Sequence, residues 1–238
     1  MEVRSLYREP ELRDELSFGA LEFHDVFRIF RSGTAETVAL RGLDLRVDPR
    51  ELVVLFGPSG SGKSTALNIA AGLDAPSAGD VLAFGDSLAR LSEPELADYR
   101  SRHIAIVFQS ANLWSALSAR ENVALGLRLA GRRRGIRDRV DRALDAFDLR
   151  RRENQRSGTL SGGEQQRLAI AAAAAREAPL VLADEPTAEI DARNERVVLR
   201  ALRRLVDDFG STVVVVTHSE RVAEAADRVV EIRDGQTS

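Results

Sequence analysis

One stretch of the chain, Gly57-Pro-Ser-Gly-Ser-Gly-Lys-Ser64, constrains the fold more than any other. It matches the pattern G-x-x-x-x-G-K-[ST] at every fixed position. The apolar run Leu52–Phe56 precedes it as a candidate strand, and helix-forming residues follow it from Ala66 to Ala71. A strand that leads through a glycine-rich turn into a helix directs backbone N–H groups toward phosphate oxygens. The sequence therefore predicts a phosphate-binding loop for a nucleoside triphosphate.

Each residue of this loop has a predicted part in nucleotide binding. Lys63 is expected to reach the β- and γ-phosphates, and Ser64 is expected to offer its hydroxyl to Mg²⁺. The other predicted contacts are the remaining loop positions and the residue after them: Gly57, Pro58, Ser59, Gly60, Ser61, Gly62 and Thr65. The alternative is a glycine-rich turn that binds nothing, and the flanking strand and helix argue against it.

Composition limits the classes of protein to which the chain can belong. Lys+Arg number 34 against Asp+Glu 37, and a net charge of -3 gives no general attraction to nucleic acid. The absence of Cys excludes disulfides, zinc thiolates and thiol nucleophiles. No apolar run approaches the roughly 18 residues of a membrane-spanning helix, and the charged start of the chain lacks the apolar core of a signal peptide. We expect a protein that is soluble by itself and reaches a membrane only through a partner.

The pattern along the chain predicts an α/β fold with a mainly parallel sheet. Alternating apolar residues in Leu21–Phe30 and Val38–Val47 predict an N-terminal antiparallel β subdomain, and strand and helix patterns alternate toward the end of the chain. Residues 1–17 are expected to form an extension, residues 18–238 one domain, and residues from about 88 to 160 a helical subdomain inserted within it.

Two arginine clusters flank the second helix of the predicted insert, at Arg132–Arg134 and Arg150–Arg152. A solvated basic edge is the simpler interpretation, and contact with acidic lipid head groups is the alternative.

Two further motifs accompany the phosphate loop. The apolar run from Ala178 ends in Asp184 and Glu185, which are expected to hold Mg²⁺ through water and to polarise the attacking water, respectively. In Leu160-Ser-Gly-Gly-Glu164, Ser161 and Glu164 predict a capping box, and Gly162 and Gly163 leave helix N–H groups uncovered for an anion. Alone, the acidic pair is commonly an ordinary turn at a strand end, and the glycine motif alone would be better explained as a plain helix cap.

In this order and combination the motifs resemble those of the ABC-type ATPases, in which Leu-Ser-Gly-Gly is the signature. The resemblance extends over about residues 20 to 235. It implies that Gln109 is the glutamine that touches Mg²⁺ and senses a transmembrane partner. It also implies that His218 contacts the γ-phosphate and the catalytic carboxylate, and that Asp191 belongs to the loop that crosses the dimer. Phe30 stands where the family most often stacks Tyr on adenine, although a core residue of a strand is the other interpretation.

Some residues depart from the family pattern, whereas others indicate a subgroup. Glu189 and Ile190 differ from the residues that usually precede Asp191 in the family. The closest likeness is to the group that serves lipoprotein release, macrolide export and cell division. It rests on the phosphate loop and four segments: Gly72–Pro76, Val107–Ser110, Arg120–Val123 and Leu182–Thr187.

The resemblance implies an ATPase subunit that binds ATP and Mg²⁺ in a head-to-tail homodimer. Glu185, His218, Lys63 and Gln109 are its expected catalytic residues, and Ser161–Gly163 of the second subunit would close on the γ-phosphate. A separate permease, contacted near Gln109 and the helical subdomain, would hold it on the inner face of the cell membrane for export, extraction or mechanical signalling.

The alternative is a soluble ATPase of DNA repair or chromosome maintenance. Those relatives carry long coiled coils or zinc modules in the helical region, for which this chain has neither the length nor the cysteines. No nucleic-acid partner is expected.

Overall fold

The computed structural model describes residues 18–33 and 35–237, and the predicted extension, residues 1–17, lies outside the described residues. The strands are β1 Leu21–Ser32, β2 Ala35–Val47, β3 Leu52–Phe56, β4 Ala78–Ala83, β5 Asp86–Ser87, β6 Ile104–Val107, β7 Leu180–Asp184, β8 Thr212–Thr217, β9 Arg228–Arg233 and β10 Gln236–Thr237. The helices are α1 Lys63–Ala70, α2 Glu93–His103, α3 Ala119–Leu129, α4 Ile136–Ala146, α5 Gly162–Arg176, α6 Ala192–Asp207 and α7 Glu220–Ala223.

The strands form two sheets, which confirms the predicted fold class. The first has the order β2-β1-β4-β5 and is antiparallel throughout. The second has the order β10-β9-β3-β8-β7-β6, with parallel pairing everywhere except between β9 and β10. Parallel neighbours require crossover connections, and the helices between β3 and β8 supply them.

Both faces of the parallel sheet are buried in the core. In β8, Val213 and Val215 belong to one core cluster, whereas Val214 and Val216 belong to the other. The first cluster includes residues of α3, α5 and α6, and the second includes α1, β1 and β2. This two-sided burial explains why the strand sequences are continuous apolar runs rather than alternating ones.

Helix α2 and strand β6 lie between residue 88 and the helices α3 and α4. Strand β6 pairs with β7 at the edge of the parallel sheet. Helix α2 packs on the core, where the buried Tyr99 hydroxyl donates to the Ala70 carbonyl at 2.8 Å. The next helices after β6 are α3 and α4, and both contact α5. The inserted subdomain from about residue 88 to 160 stays a prediction.

The predicted capping box of Ser161 and Glu164 is present at the start of α5. Ser118 and Glu121 form another at the start of α3. No helix among the described residues is long and apolar enough to cross a membrane.

Candidate nucleotide-binding site

A cavity of about 480 Å³ lies at the carboxyl ends of β3, β7 and β8. Parallel strands end at the same edge of a sheet, which brings side chains that are distant in sequence together there. The residues that line it are Ala39, Ser59, Gly60, Gly62, Lys63, Ser64, Thr65, Gln109, Asp184, Glu185, Ala188 and His218. The phosphate loop, the strand-end carboxylates, the glutamine and the histidine thus meet in one place.

The phosphate loop adopts a backbone shape that a residue other than glycine would not fit at Gly62. Its φ is 102°, and an added Cβ would lie 2.4 Å from the Ala39 carbonyl oxygen. This turn starts α1 at Lys63, whose Nζ donates to the carbonyls of Gly57 and Pro58 at 2.8 Å each. Burial lowers the pKa of Lys63, and the charges of the nearby carboxylates act in the opposite direction. The ammonium group is therefore held at the loop and close to negative charge.

Oxygen ligands of the kind that Mg²⁺ prefers meet at this edge of the sheet. Ser64 Oγ, on the first turn of α1, donates to Asp184 Oδ1 at 3.2 Å, and Gln109 lines the same cavity. Burial raises the pKa of Asp184, and the charge of Glu185 adds to this effect. Among the described residues no group of three or more His, Cys, Asp or Glu could hold a metal ion by itself. Mg²⁺ is commonly bound through one or two carboxylates together with substrate phosphates, and these residues fit that arrangement.

Glu185 is held in a fixed orientation by the end of β8. Its φ is +44°, a left-handed conformation that is unfavourable for a residue with a side chain. Its backbone N–H donates to the Val216 carbonyl at 2.9 Å, and its Oε2 accepts from Thr217 Oγ1 at 2.9 Å. His218 Nδ1 lies 2.8 Å from Oε1 of the same carboxylate. A carboxylate fixed in this way can accept a proton from a water molecule in the cavity.

Thr217 is a site residue that sequence reasoning missed. It is fully buried, and its hydroxyl also accepts from the Ser219 backbone N–H at 3.1 Å. The signal was present, because a hydroxyl residue ends an apolar strand immediately before His218.

Gln109 is attached to two other parts of the molecule. Phe108 and Gln109 follow the end of β6. The buried Gln166 of α5 donates to the carbonyls of Phe108 and Gln109 at 3.0 and 2.5 Å. The side-chain Nε2 of Gln109 donates to Glu189 Oε1 at 3.2 Å. The segment at Gln109 is therefore connected both to α5 and to the segment before α6.

Several predicted nucleotide contacts lie outside the lining of this cavity. Gly57 and Pro58 contact Lys63 through their carbonyls, and Ser61 is buried within the loop. Phe30 lies on β1 with 42% of its surface exposed, and the Arg28 guanidinium carbon sits 4.4 Å from the centre of its ring.

The signature residues and Asp191 occupy helix starts outside this lining. Ser161 caps α5, followed by Gly162 and Gly163, and Asp191 caps α6 by accepting from the Arg193 and Asn194 backbone N–H groups at 3.0 and 2.8 Å. The hydrogen bond from the Asn194 backbone lowers the pKa of Asp191.

Comparison with known proteins identifies a family for this arrangement. Residues 40–188 match the family model described as ABC transporter. The chain is 42% identical over 216 residues to the macrolide export ATP-binding/permease protein MacB of Azoarcus sp. strain BH72. The matched region covers 90% of the chain and 33% of that relative. It is 40% identical over 220 residues to the lipoprotein-releasing system ATP-binding protein LolD 1 of Rhodopseudomonas palustris strain CGA009, which covers 91% of the chain and 97% of that relative. The chain thus spans about one third of the MacB relative's length.

A solved structure supports the same assignment. The ATP-binding cassette MJ0796, as a dimer in a post-hydrolysis state bound to ADP and Pi, superposes with a TM-score of 0.82 at 37% identity, over 92% of this chain and 96% of that chain. These likenesses confirm the resemblance to the group with macrolide export and lipoprotein release among its members, and the predicted ATPase activity. The chain belongs to the ABC transporter family, and it is an ATP-binding domain that hydrolyses ATP.

Proposed function

We propose that this chain drives a separate membrane permease by ATP-dependent closure of a head-to-tail homodimer on the inner face of the cell membrane. The observation that carries the proposal is the division of the motifs within one protomer. The cavity is lined by Lys63 of the phosphate loop together with Asp184, Glu185 and His218. The signature residue Ser161 and the two glycines after it lie outside this lining. A second copy, placed head to tail, would bring its signature residues to the open side of this cavity.

Nucleotide binding is assigned to the loop and its surroundings. Lys63 and the loop N–H groups would hold the phosphates, and Phe30, with its exposed ring on β1, would stack on the adenine. Ser64, Asp184 and Gln109 would hold Mg²⁺, which neutralises charge on the transferred phosphoryl group.

Hydrolysis is assigned to the pair formed by Glu185 and His218. Glu185 would take the proton of the attacking water while His218 and Thr217 keep its carboxylate in place, at 2.8 and 2.9 Å. The products are ADP and phosphate. Positioning and charge stabilisation provide most of the catalysis in phosphoryl transfer, and a fixed carboxylate meets that requirement.

Closure of the dimer is assigned to the N-terminal ends of α5 and α6. These ends pack together, because a Cβ added to Gly163 would meet the Asn194 side chain at 2.7 Å and one added to Gly162 would meet Ile190 at 3.5 Å. Ser161, Gly162 and Asp191 are exposed at these ends, whereas Gly163 is buried beneath Asn194, and the exposed residues would face a second copy. ATP between the two copies would favour the closed state, and loss of the γ-phosphate would favour the open one.

Permease contact is assigned to the surface beside Gln109. A cleft of about 320 Å³ is lined by five residues there: Phe108, Ser110, Ala111, Asn112 and Leu113. Trp114 follows with 65% of its surface exposed, unusually high for a large aromatic side chain. We favour a separate permease because the LolD 1 relative, matched over nearly its full length, is named as the ATP-binding protein of a larger system.

The test is purification of the Glu185→Gln variant from its native host in detergent with ATP, followed by mass spectrometry. We expect a membrane protein in stoichiometric amount, because the variant should stay in the closed state. Lys63→Ala is the control, since its weakened ATP binding should keep the closed complex from accumulating. A soluble dimer without a membrane partner would contradict the assignment to a permease.

A further inference from the structure

Glu189 contacts the side chain that the proposed function assigns to Mg²⁺. Its Oε1 accepts from Gln109 Nε2 at 3.2 Å, although the two residues are separated by 80 positions in the chain. Ala188, next to Glu189, lines the same cavity as Gln109. Both side chains are exposed, so this contact contributes little to the stability of the fold.

The chemistry of the two groups gives the contact a direction. A glutamine amide has one oxygen that can ligate a cation and one nitrogen that can only donate hydrogen bonds. A carboxylate only accepts, so Glu189 pairs with Nε2 and not with Oε1 of Gln109. The amide oxygen is thereby left available as a ligand for Mg²⁺.

We propose that Glu189 is a positioning residue that fixes the Gln109 amide so that its oxygen is the atom offered to the Mg²⁺ of the nucleotide. This inference rests on the proposed function and adds a residue to it. Hydrogen-bonding partners of metal ligands commonly set the orientation of those ligands in metal sites.

A direct role of the Glu189 carboxylate as a metal ligand is disfavoured by the structure. Its hydrogen-bonding oxygen is engaged by Gln109, and among residues 18–33 and 35–237 no group of three acidic or imidazole side chains could hold a metal ion. Exposure also screens its charge, so an effect through charge alone should be small and sensitive to salt.

The test measures binding of the non-hydrolysable β,γ-imido analogue of ATP to the full chain, in EDTA and over a range of Mg²⁺ concentrations. Mg²⁺ should increase the affinity for the analogue, and we expect Glu189→Ala to raise about tenfold the Mg²⁺ concentration at which half of this increase is reached. Tenfold is the lower end of the effect of removing a hydrogen-bonding partner of a metal ligand. Affinity in EDTA should stay unchanged. Glu189→Gln keeps an oxygen acceptor without the charge, and we expect it to remain within about threefold of the natural chain.

Other results would overturn the inference. Equal loss in Glu189→Gln and Glu189→Ala would show that charge, not the hydrogen bond, is responsible. An unchanged Mg²⁺ dependence in Glu189→Ala would remove the residue from this role. In Gln109→Ala, adding Glu189→Ala should cause no further loss, and an additive loss would mean that Glu189 does not act through Gln109. If the natural chain bound no analogue either in EDTA or in Mg²⁺, the proposed function would fail and this inference with it. That result differs from a loss of affinity that appears only in Glu189→Ala and only when Mg²⁺ is present.

Discussion

Replacement of Thr217 by valine isolates the contact that holds the proposed general base. The residue is fully buried, and valine has nearly its shape without the hydroxyl. The change removes the bond to Glu185 Oε2 at 2.9 Å and leaves the other carboxylate oxygen with His218. Hydrogen bonds to charged groups contribute about 1.5–3 kcal/mol. If that stabilisation is lost in the transition state, kcat falls about ten- to hundredfold, since each 1.36 kcal/mol is about a factor of ten.

Thr217→Ser is the matched control. Thr217→Ser keeps the hydroxyl and loses a methyl group. We therefore expect lower stability in both variants, but a lower kcat only in Thr217→Val. Valine also leaves the Ser219 backbone N–H without its acceptor at 3.1 Å, which costs about 1–3 kcal/mol of folding stability. The assay is steady-state ATP hydrolysis well below both unfolding midpoints, together with equilibrium ATP binding. A kcat for Thr217→Val within twofold of Thr217→Ser, or a parallel loss of ATP affinity, would refute the reasoning.

Three further predictions concern other parts of the chain. Hydrogen bonds from Ser161 lower the pKa of Glu164 below its ordinary 4.5. Glu164→Ala should therefore reduce the free energy of unfolding, measured by urea titration, by about 1 kcal/mol at neutral pH. This difference from the natural chain should vanish as the pH falls through the lowered pKa of Glu164. A difference that persists at low pH would contradict this prediction. Phe147 is 2% exposed and stacks on Phe209, so Phe147→Ala should cost about 3–5 kcal/mol in the same assay, and a loss below about 1 kcal/mol would contradict the packing. Lys63→Ala should weaken ATP binding by about 1.5–3 kcal/mol in calorimetry, through loss of a charged hydrogen bond, and unchanged affinity would contradict the loop assignment.

The parts of the site that the sequence predicts are those encoded locally. The loop from Gly57 to Ser64 is a continuous segment between a strand and a helix, and its backbone shape follows from its own glycines. The capping box at Ser161 is likewise complete within four residues. Such features need no knowledge of the tertiary fold.

The parts that the sequence did not predict depend on contacts between distant segments. The bond between Gln109 and Glu189 and the bonds from Gln166 to Phe108 and Gln109 join residues separated by more than 50 positions. The pairing of β6 with β7 likewise joins distant segments. Apolar periodicity identifies β6 as a strand, but only the sheet shows which strand is its neighbour.

The roles of Phe30 and Asp191 remain predictions for a different reason. Phe30 is exposed beside Arg28, and Asp191 caps α6 in this protomer. Either position gains its proposed function only when nucleotide or a second copy is present.

Light scattering of purified Glu185→Gln with Mg²⁺ and ATP tests the central claim most directly. ATP-driven closure predicts that the variant is a dimer in Mg²⁺ and ATP and a monomer in Mg²⁺ and ADP. The natural chain should hydrolyse ATP about 10²- to 10⁴-fold faster than the variant, the usual contribution of a general base. A variant that binds ATP yet stays monomeric at every ATP concentration, or that hydrolyses ATP at the natural rate, would contradict the account.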